Sequence, residues 1–146
     1  MNPALDDPDL RALLRATLAA TPAGGAVICL CAAWCGTCRD YAAGFHALAE
    51  RFPGARFLWL DVEDEADLLD DYDVENFPTL LIQRGDAVLF FGTMLPHHEL
   101  LERTVRAFAS MTPDESRHYA QADATRRTWQ HDRNLRRALA ERDGDA

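Results

Sequence analysis

The run Ala26-Val27-Ile28-Cys29-Leu30-Cys31-Ala32, followed after Ala33 by Trp34-Cys35-Gly36-Thr37-Cys38, decides how this chain folds. Its first half is continuously apolar and short, the pattern of a central strand covered on both faces. Its second half opens a helix from Gly36 to Phe52, with Phe45, Leu48, Ala49 and Phe52 as the apolar side and Pro53-Gly54 as the stop. Two cysteines in a Cys-x-x-Cys spacing therefore sit where a buried strand hands over to a helix.

That context carries the chemistry. Cys35 falls at the helix N-terminus, where unpaired backbone N–H groups and the helix dipole favour a thiolate. The thiolate is the reactive form, which makes Cys35 the attacking nucleophile. Cys38, one turn deeper on the same side, is placed to close the ring and release a partner from a mixed disulfide.

Working outward, Leu10, Leu13, Leu14 and Leu18 mark a helix over Asp9 to Ala20, closed by Thr21-Pro22 and Gly24-Gly25. After the Cys-x-x-Cys helix, Arg56 to Val62 reads as a second strand and Ala66 to Tyr72 as a short helix. Thr79 to Gln83 and Ala87 to Phe91 read as strands joined by Arg84-Gly85-Asp86, a hairpin signal. Glu99 to Met111 is a helix burying Leu101, Val105 and Phe108. Strands alternating with helices imply a parallel sheet, to which the terminal hairpin adds an antiparallel strand. The predicted fold is α/β, with a central mixed sheet of about four strands and helices on both faces. A main domain spans 1–112. From 113 to 146 the texture changes: Thr112-Pro113-Asp114-Glu115 is a strong helix start, and large apolar residues thin out to Tyr119, Trp129, Leu135 and Leu139. This extension reads as one long, mostly solvated helix, fraying after Asp143-Gly144, whose few large apolar residues pack against the body of the chain or dock on a partner.

The formal net charge is −9. Up to Thr112 the chain has 8 arginines against 17 acidic residues, and from Pro113 onward 7 of each sign. Such a body repels nucleic acid and anionic lipid and favours partners with basic patches. No apolar run nears the ~20 residues needed to span a bilayer. The acidic start lacks the basic-then-apolar pattern of a secretory signal, so a cytoplasmic protein is expected, where stable structural disulfides are uncommon.

A further signal is Asn76-Phe77-Pro78-Thr79 at the mouth of the third strand. Proline cannot donate to a sheet ladder, so it belongs at a strand's first residue or edge. Together with Trp34-Cys35-Gly36-Thr37-Cys38, the run from Asp61 to Thr79 and Gly92 after the hairpin, it makes the chain resemble the thioredoxin family over Val27 to Met111. The resemblance implies Cys35 as exposed nucleophile and Cys38 as buried resolving thiol, linked in a redox-active Cys35–Cys38 disulfide with no bound cofactor or metal. It also implies a cis Phe77–Pro78 bond, with Trp34, Gly36, Thr37, Phe77, Pro78, Cys29 and Cys31 supporting the site. Trp34, Phe77 and Gly92 would meet protein substrates carrying disulfides or thiols. A thioredoxin reductase or similar donor would recharge the pair if the chain works as a reductant.

Departures from the family pattern are instructive. The buried Asp six residues before the nucleophile is Cys29 here, and its frequent Lys partner is Trp59. Losing both together is coherent, since either charge buried alone would be costly. A thiol returns protons less readily than a carboxylate, so slower resolution of mixed disulfides is expected. Cys31 replaces a family Trp, and Cys29 and Cys31 share one face of the strand. They read as small buried hydrophobes, against the sharper readings of an auxiliary thiol or of a metal or iron–sulfur site using Cys29, Cys31, Cys35 and Cys38. His97-His98 lack zinc-ligand spacing with the cysteines. Gly36-Thr37 replaces the common Gly-Pro, which leaves the direction of the reaction open. Asp61 to Glu75 holds nine acidic residues in fifteen; it reads as a solvated face, or as a rim selecting basic substrates. Arg39 reads as a surface residue or as partial compensation for that rim. The competing functional class is a binding or chaperone-like module with little turnover.

Overall fold

The computed structural model describes residues 12, 14–18, 25–64, 66–69, 72 and 74–144. Leu10 and Leu13 of the first expected helix lie outside them; residues 14–18 are helical, with Leu14 and Leu18 fully buried. Strand β1 (Gly25–Cys31) leads to helix α1 (Gly36–Ala49), strand β2 (Ala55–Asp61) and the short helix α2 (Ala66–Leu69). Strands β3 (Thr79–Arg84) and β4 (Ala87–Thr93) form a hairpin, followed by α3 (His98–Ala109), α4 (Pro113–Ala120), α5 (Ala124–Asp132) and α6 (Leu135–Gly144). Gly85, at φ 60°, adopts the left-handed turn conformation that a side chain would resist.

The sheet order is β2-β1-β3-β4. β1 and β2 run parallel, whereas β3 is antiparallel to both β1 and β4. The reversal thus comes at β3, one strand earlier than the sequence pattern predicts. The register shows it: Leu30 of β1 pairs with Leu60 near the end of β2 and with Thr79 at the start of β3, so β3 begins at the end of the sheet where β2 finishes and must run the other way.

β1 is buried along its whole length, as its apolar run requires. Val27, Cys29 and Cys31 point into a core with Cys38, Tyr41 and Phe45 of α1 and Leu101, Val105 and Phe108 of α3. Ala26, Ile28 and Leu30 point the other way, into a second core with Leu14, Leu18, Leu69 and Tyr72.

The extension is three helices, not one. Asp123 accepts from the Arg126 N–H at 2.8 Å and Asn134 accepts from the Arg137 N–H at 3.2 Å, each restarting a helix. Nor is it mostly solvated. Ala120 joins the first core, Leu135 and Leu139 join the second, and Tyr119 and Trp129 pack on Phe108 and Phe90. The chain therefore passes around the β4 edge from one face of the sheet to the other. Gln130 makes the crossing point: its side-chain amide accepts from the Val88 N–H at 2.8 Å and donates to the Val88 carbonyl at 2.8 Å. One glutamine thus satisfies the edge strand as a neighbouring strand would. Beside it, Gln83 donates to Asn134 at 2.7 Å and accepts from the Leu135 N–H at 2.9 Å. Arg84 donates to the Met111 carbonyl at 2.6 Å and to the Ser116 hydroxyl at 2.9 Å.

Candidate active site

Cys35 is the N-cap of α1, in extended conformation at φ −82° and ψ 120°, and its side chain makes no capping bond. It is half-buried and carries a free thiol. The loop before it is fixed at one residue, Ala33, on both its peptide groups. The Ala33 N–H donates to the Asp61 carboxylate at 2.9 Å, and the Ala33 carbonyl accepts from the Arg39 guanidinium at 3.0 Å. The same Asp61 carboxylate accepts from the N–H groups of Glu63 and Asp64 at 2.8 and 3.1 Å. These hydrogen bonds were not foreseen from sequence, which reads Asp61 as part of a solvated face or substrate-selecting rim and Arg39 as a surface residue or partial compensation for that rim; Arg39 is indeed exposed. The signal was available in position alone: Asp61 ends β2 in register with Cys31, beside the loop that presents Cys35.

Cys38 is 1% exposed on the side of α1 that faces β1, and Cys31 is 0% exposed on the side of β1 that faces α1. The two are joined in a disulfide, with Cα atoms 5.9 Å apart. The expected Cys35–Cys38 link is therefore not the one present. Burial supplies the reason: Cys31 and Cys38 both project into the core, whereas Cys35 stays at its rim. Cys31 is accordingly an auxiliary sulfur of the site, not the inert buried hydrophobe favoured from sequence.

Cys29 lies next to this bond, its sulfur 3.6 Å from the Cys31 sulfur. It is flanked on the sheet by Trp59 and Leu80, and burial pushes its thiol far above the ordinary value. Trp59 fills the space on that face, edge-on to Phe45 at 5.6 Å. Tyr41, one turn beyond Cys38, has a buried hydroxyl with no partner among the described residues, and burial pushes its phenol up as well.

The mouth is aromatic. Trp34 is 64% exposed, and its ring meets Phe77 edge-on at 5.7 Å. The Phe77–Pro78 peptide bond is cis, and the Pro78 carbonyl accepts from the Met94 N–H at 3.1 Å. Gly92 pairs with Leu80, which brings the end of β4 beside Pro78. Trp34, Cys35, Phe77 and Pro78 thus gather at one end of the sheet. Gly36 and Thr37 lie exposed in the first turn of α1. His97 and His98 begin α3, where His98 stacks on Tyr41 with ring centroids 4.8 Å apart. Among the described residues no group of three or more His, Cys, Asp or Glu side chains is placed to hold a metal ion, and no helix is long and apolar enough to cross a membrane.

Known proteins match this architecture. The thioredoxin family model matches residues 16–105. A thioredoxin H-type of Oryza sativa subsp. indica is 42% identical over 61 residues, covering 42% of this chain and 50% of the rice protein. The thioredoxin of Rattus norvegicus is 33% identical over 84 residues, covering 57% of this chain and 78% of its own. Against the plant proteins the chain spans only about half their length. Among solved structures, thioredoxin NaTrxh of Nicotiana alata superposes with a TM-score of 0.61 at 17% identity, covering 70% of this chain and 86% of that one. A mutant thioredoxin of Halobacterium salinarum gives 0.59 at 21% identity over 68% of this chain and 86% of its own. These two support the fold alone. Residues from Pro113 onward lie beyond the family match. With its sheet order, its cysteines at the strand-to-helix junction and the matched span taken together, the chain belongs to the thioredoxin family.

Proposed function

We propose that this protein is a thiol–disulfide oxidoreductase acting on protein disulfides, with Cys35 as nucleophile and Cys38 as resolving thiol. The observation that carries this is a free, half-buried Cys35 sulfur at the mouth of the site, one helical turn from a buried Cys38 already engaged in a disulfide. Cys35 attacks a target disulfide and forms a mixed disulfide; Cys38 then displaces the target and leaves a Cys35–Cys38 bond. The redox-active disulfide is the whole of the chemistry, and the reading needs no bound cofactor.

Trp34, Phe77 and Gly92 border the approach to Cys35. An extended target segment would lie against them, and with the Pro78 carbonyl taken by Met94 the backbone left to meet it is that of Phe77. As a reductant the protein would draw electrons from a thioredoxin reductase or a similar donor. A cytoplasmic setting and a 1–112 catalytic domain with a 113–146 extension complete the reading, and these rest on the sequence expectations.

Reduction of insulin by dithiothreitol, followed by turbidity, tests it. The wild-type chain is expected to accelerate precipitation, and Cys35→Ser to return it to background. A wild-type rate at background, unchanged by Cys35→Ser, would overturn the reading in favour of a binding module.

A further inference from the structure

We propose that Cys31 is a second resolving thiol, which moves the disulfide inward after each turnover and leaves Cys35 free while the protein is oxidised. The proposal rests on the thiol–disulfide exchange assigned above and adds a step to it. Three observations carry it. The disulfide present is Cys31–Cys38. Both of its sulfurs belong to residues that are essentially fully buried, at 0% and 1% exposure. Cys35, the residue adjoining the exposed Trp34, remains a thiol.

The steps balance through a shared Cys38. Cys35 thiolate attacks a target disulfide, forming a mixed disulfide and releasing one target thiol. Cys38 thiolate attacks the Cys35 sulfur, forming Cys35–Cys38 and releasing the second target thiol, so the target has gained two electrons and the protein has lost them. Cys31 then attacks the Cys38 sulfur. The Cys31–Cys38 bond forms, the Cys35–Cys38 bond breaks, and the Cys31 proton is matched by the one Cys35 takes up. This last step changes no oxidation state. It is a thiol–disulfide exchange that relocates a bond.

Burial gives the relocation its direction. A neutral disulfide is at home in an apolar core, whereas a thiolate there is penalised by desolvation. Cys35, at the helix start and partly in solvent, is the better place for the sulfur that must ionise. Cys29 lies beside the stored bond, its sulfur 3.6 Å from that of Cys31.

Inward storage also gates reduction. External thiols reach Cys35 but not Cys31 or Cys38, so the stored bond can be reduced only after Cys35 attacks Cys38 and brings the disulfide back to the mouth. The reduction rate then scales with the fraction of molecules in the Cys35–Cys38 form.

Peptide mapping tests the proposal. Full-length protein is oxidised with diamide or with insulin, quenched with N-ethylmaleimide in acid, and digested with chymotrypsin and trypsin. Cleavage after Trp34 separates Cys31 from Cys35 and Cys38, and cleavage after Arg39 closes the second peptide. The expected product is two peptides cross-linked through Cys31 and Cys38, with the maleimide on Cys35. In Cys31→Ser the bond is expected within one peptide, as Cys35–Cys38, and dithiothreitol should reduce it about tenfold faster than it reduces the wild type. Wild-type protein showing only the Cys35–Cys38 bond with Cys31 alkylated overturns the proposal, as does an unchanged reduction rate in Cys31→Ser. The mapping with diamide is read independently of insulin turnover. A Cys35–Cys38 map with intact insulin reduction removes the relay alone, and lost insulin reduction with a Cys31–Cys38 map removes the enzymatic reading instead.

Discussion

Cys29 shows what a single substitution does to this site. Where the family resemblance implies a carboxylate, this chain has a fully buried thiol whose ionisation is suppressed by its surroundings. Replacing Cys29 with Asp should restore a group that accepts and returns a proton beneath Cys38. The expected outcome is faster release of a trapped Cys35 mixed disulfide, measured by quenched-flow with a peptide disulfide. Unchanged kinetics would discard that role for position 29. The residue scale is also where the sequence was least transparent. The strand-to-helix placement of Cys35 and Cys38 was legible because it depends on local spacing, and that of Pro78 at the entry of β3 because proline is confined to a strand's start or edge. The Cys31–Cys38 bond and the Ala33 clamp by Asp61 and Arg39 were not, because each depends on how a strand end meets a helix start across the fold.

At the scale of elements, the last three helices act as a strap over the open edge of the sheet. The Thr112–Glu115 capping box that starts the strap was plain in the sequence and is present in full. Its two interior breaks were overlooked, although Asp123 and Asn134 are both good capping residues. Sparse apolar spacing suggested a solvated helix because polar side chains do part of the packing here. Gln130 and Asn134 are 7% and 2% exposed, and their amides bond to β4 and its hairpin. Gln130→Ala should therefore cost about 1–3 kcal/mol by leaving the Val88 N–H and carbonyl unpaired. Leu135→Ala should cost about 2–5 kcal/mol through the cavity it opens. Both are measurable as shifts in the urea midpoint, and a Gln130→Ala midpoint equal to wild type would show that the edge does not need its clasp.

At the scale of the whole molecule, three buried acids among the described residues make stability fall in alkali. Burial raises Cys29, Tyr41 and Tyr72 above their ordinary values, with Tyr72 partly relieved by Arg133. Each holds its proton to higher pH in the fold than in the unfolded chain. As pH climbs through the ordinary thiol and phenol range, the unfolded chain releases protons first, so stability falls; below that range these groups contribute no slope. Each can contribute up to ~1.4 kcal/mol per pH unit while only the unfolded form titrates. Urea midpoints taken from about pH 8 to about pH 11 should decline, and Cys29→Ala should delay the onset of the decline. A flat profile in both proteins would count against these groups as its source. The overall architecture was readable in advance because alternating strand and helix periods constrain topology strongly. The reversal at β3 was missed because strand and helix periods do not show at which end of the sheet a connection between two strands returns.

Leu14 and Leu18 share a core with Leu135 and Leu139. During synthesis the early half of that core must therefore wait for the late half. Until the last helix emerges, the face of β1 that carries Ala26, Ile28 and Leu30 is only partly covered, whereas the face that carries Cys29 and Cys31 closes without it.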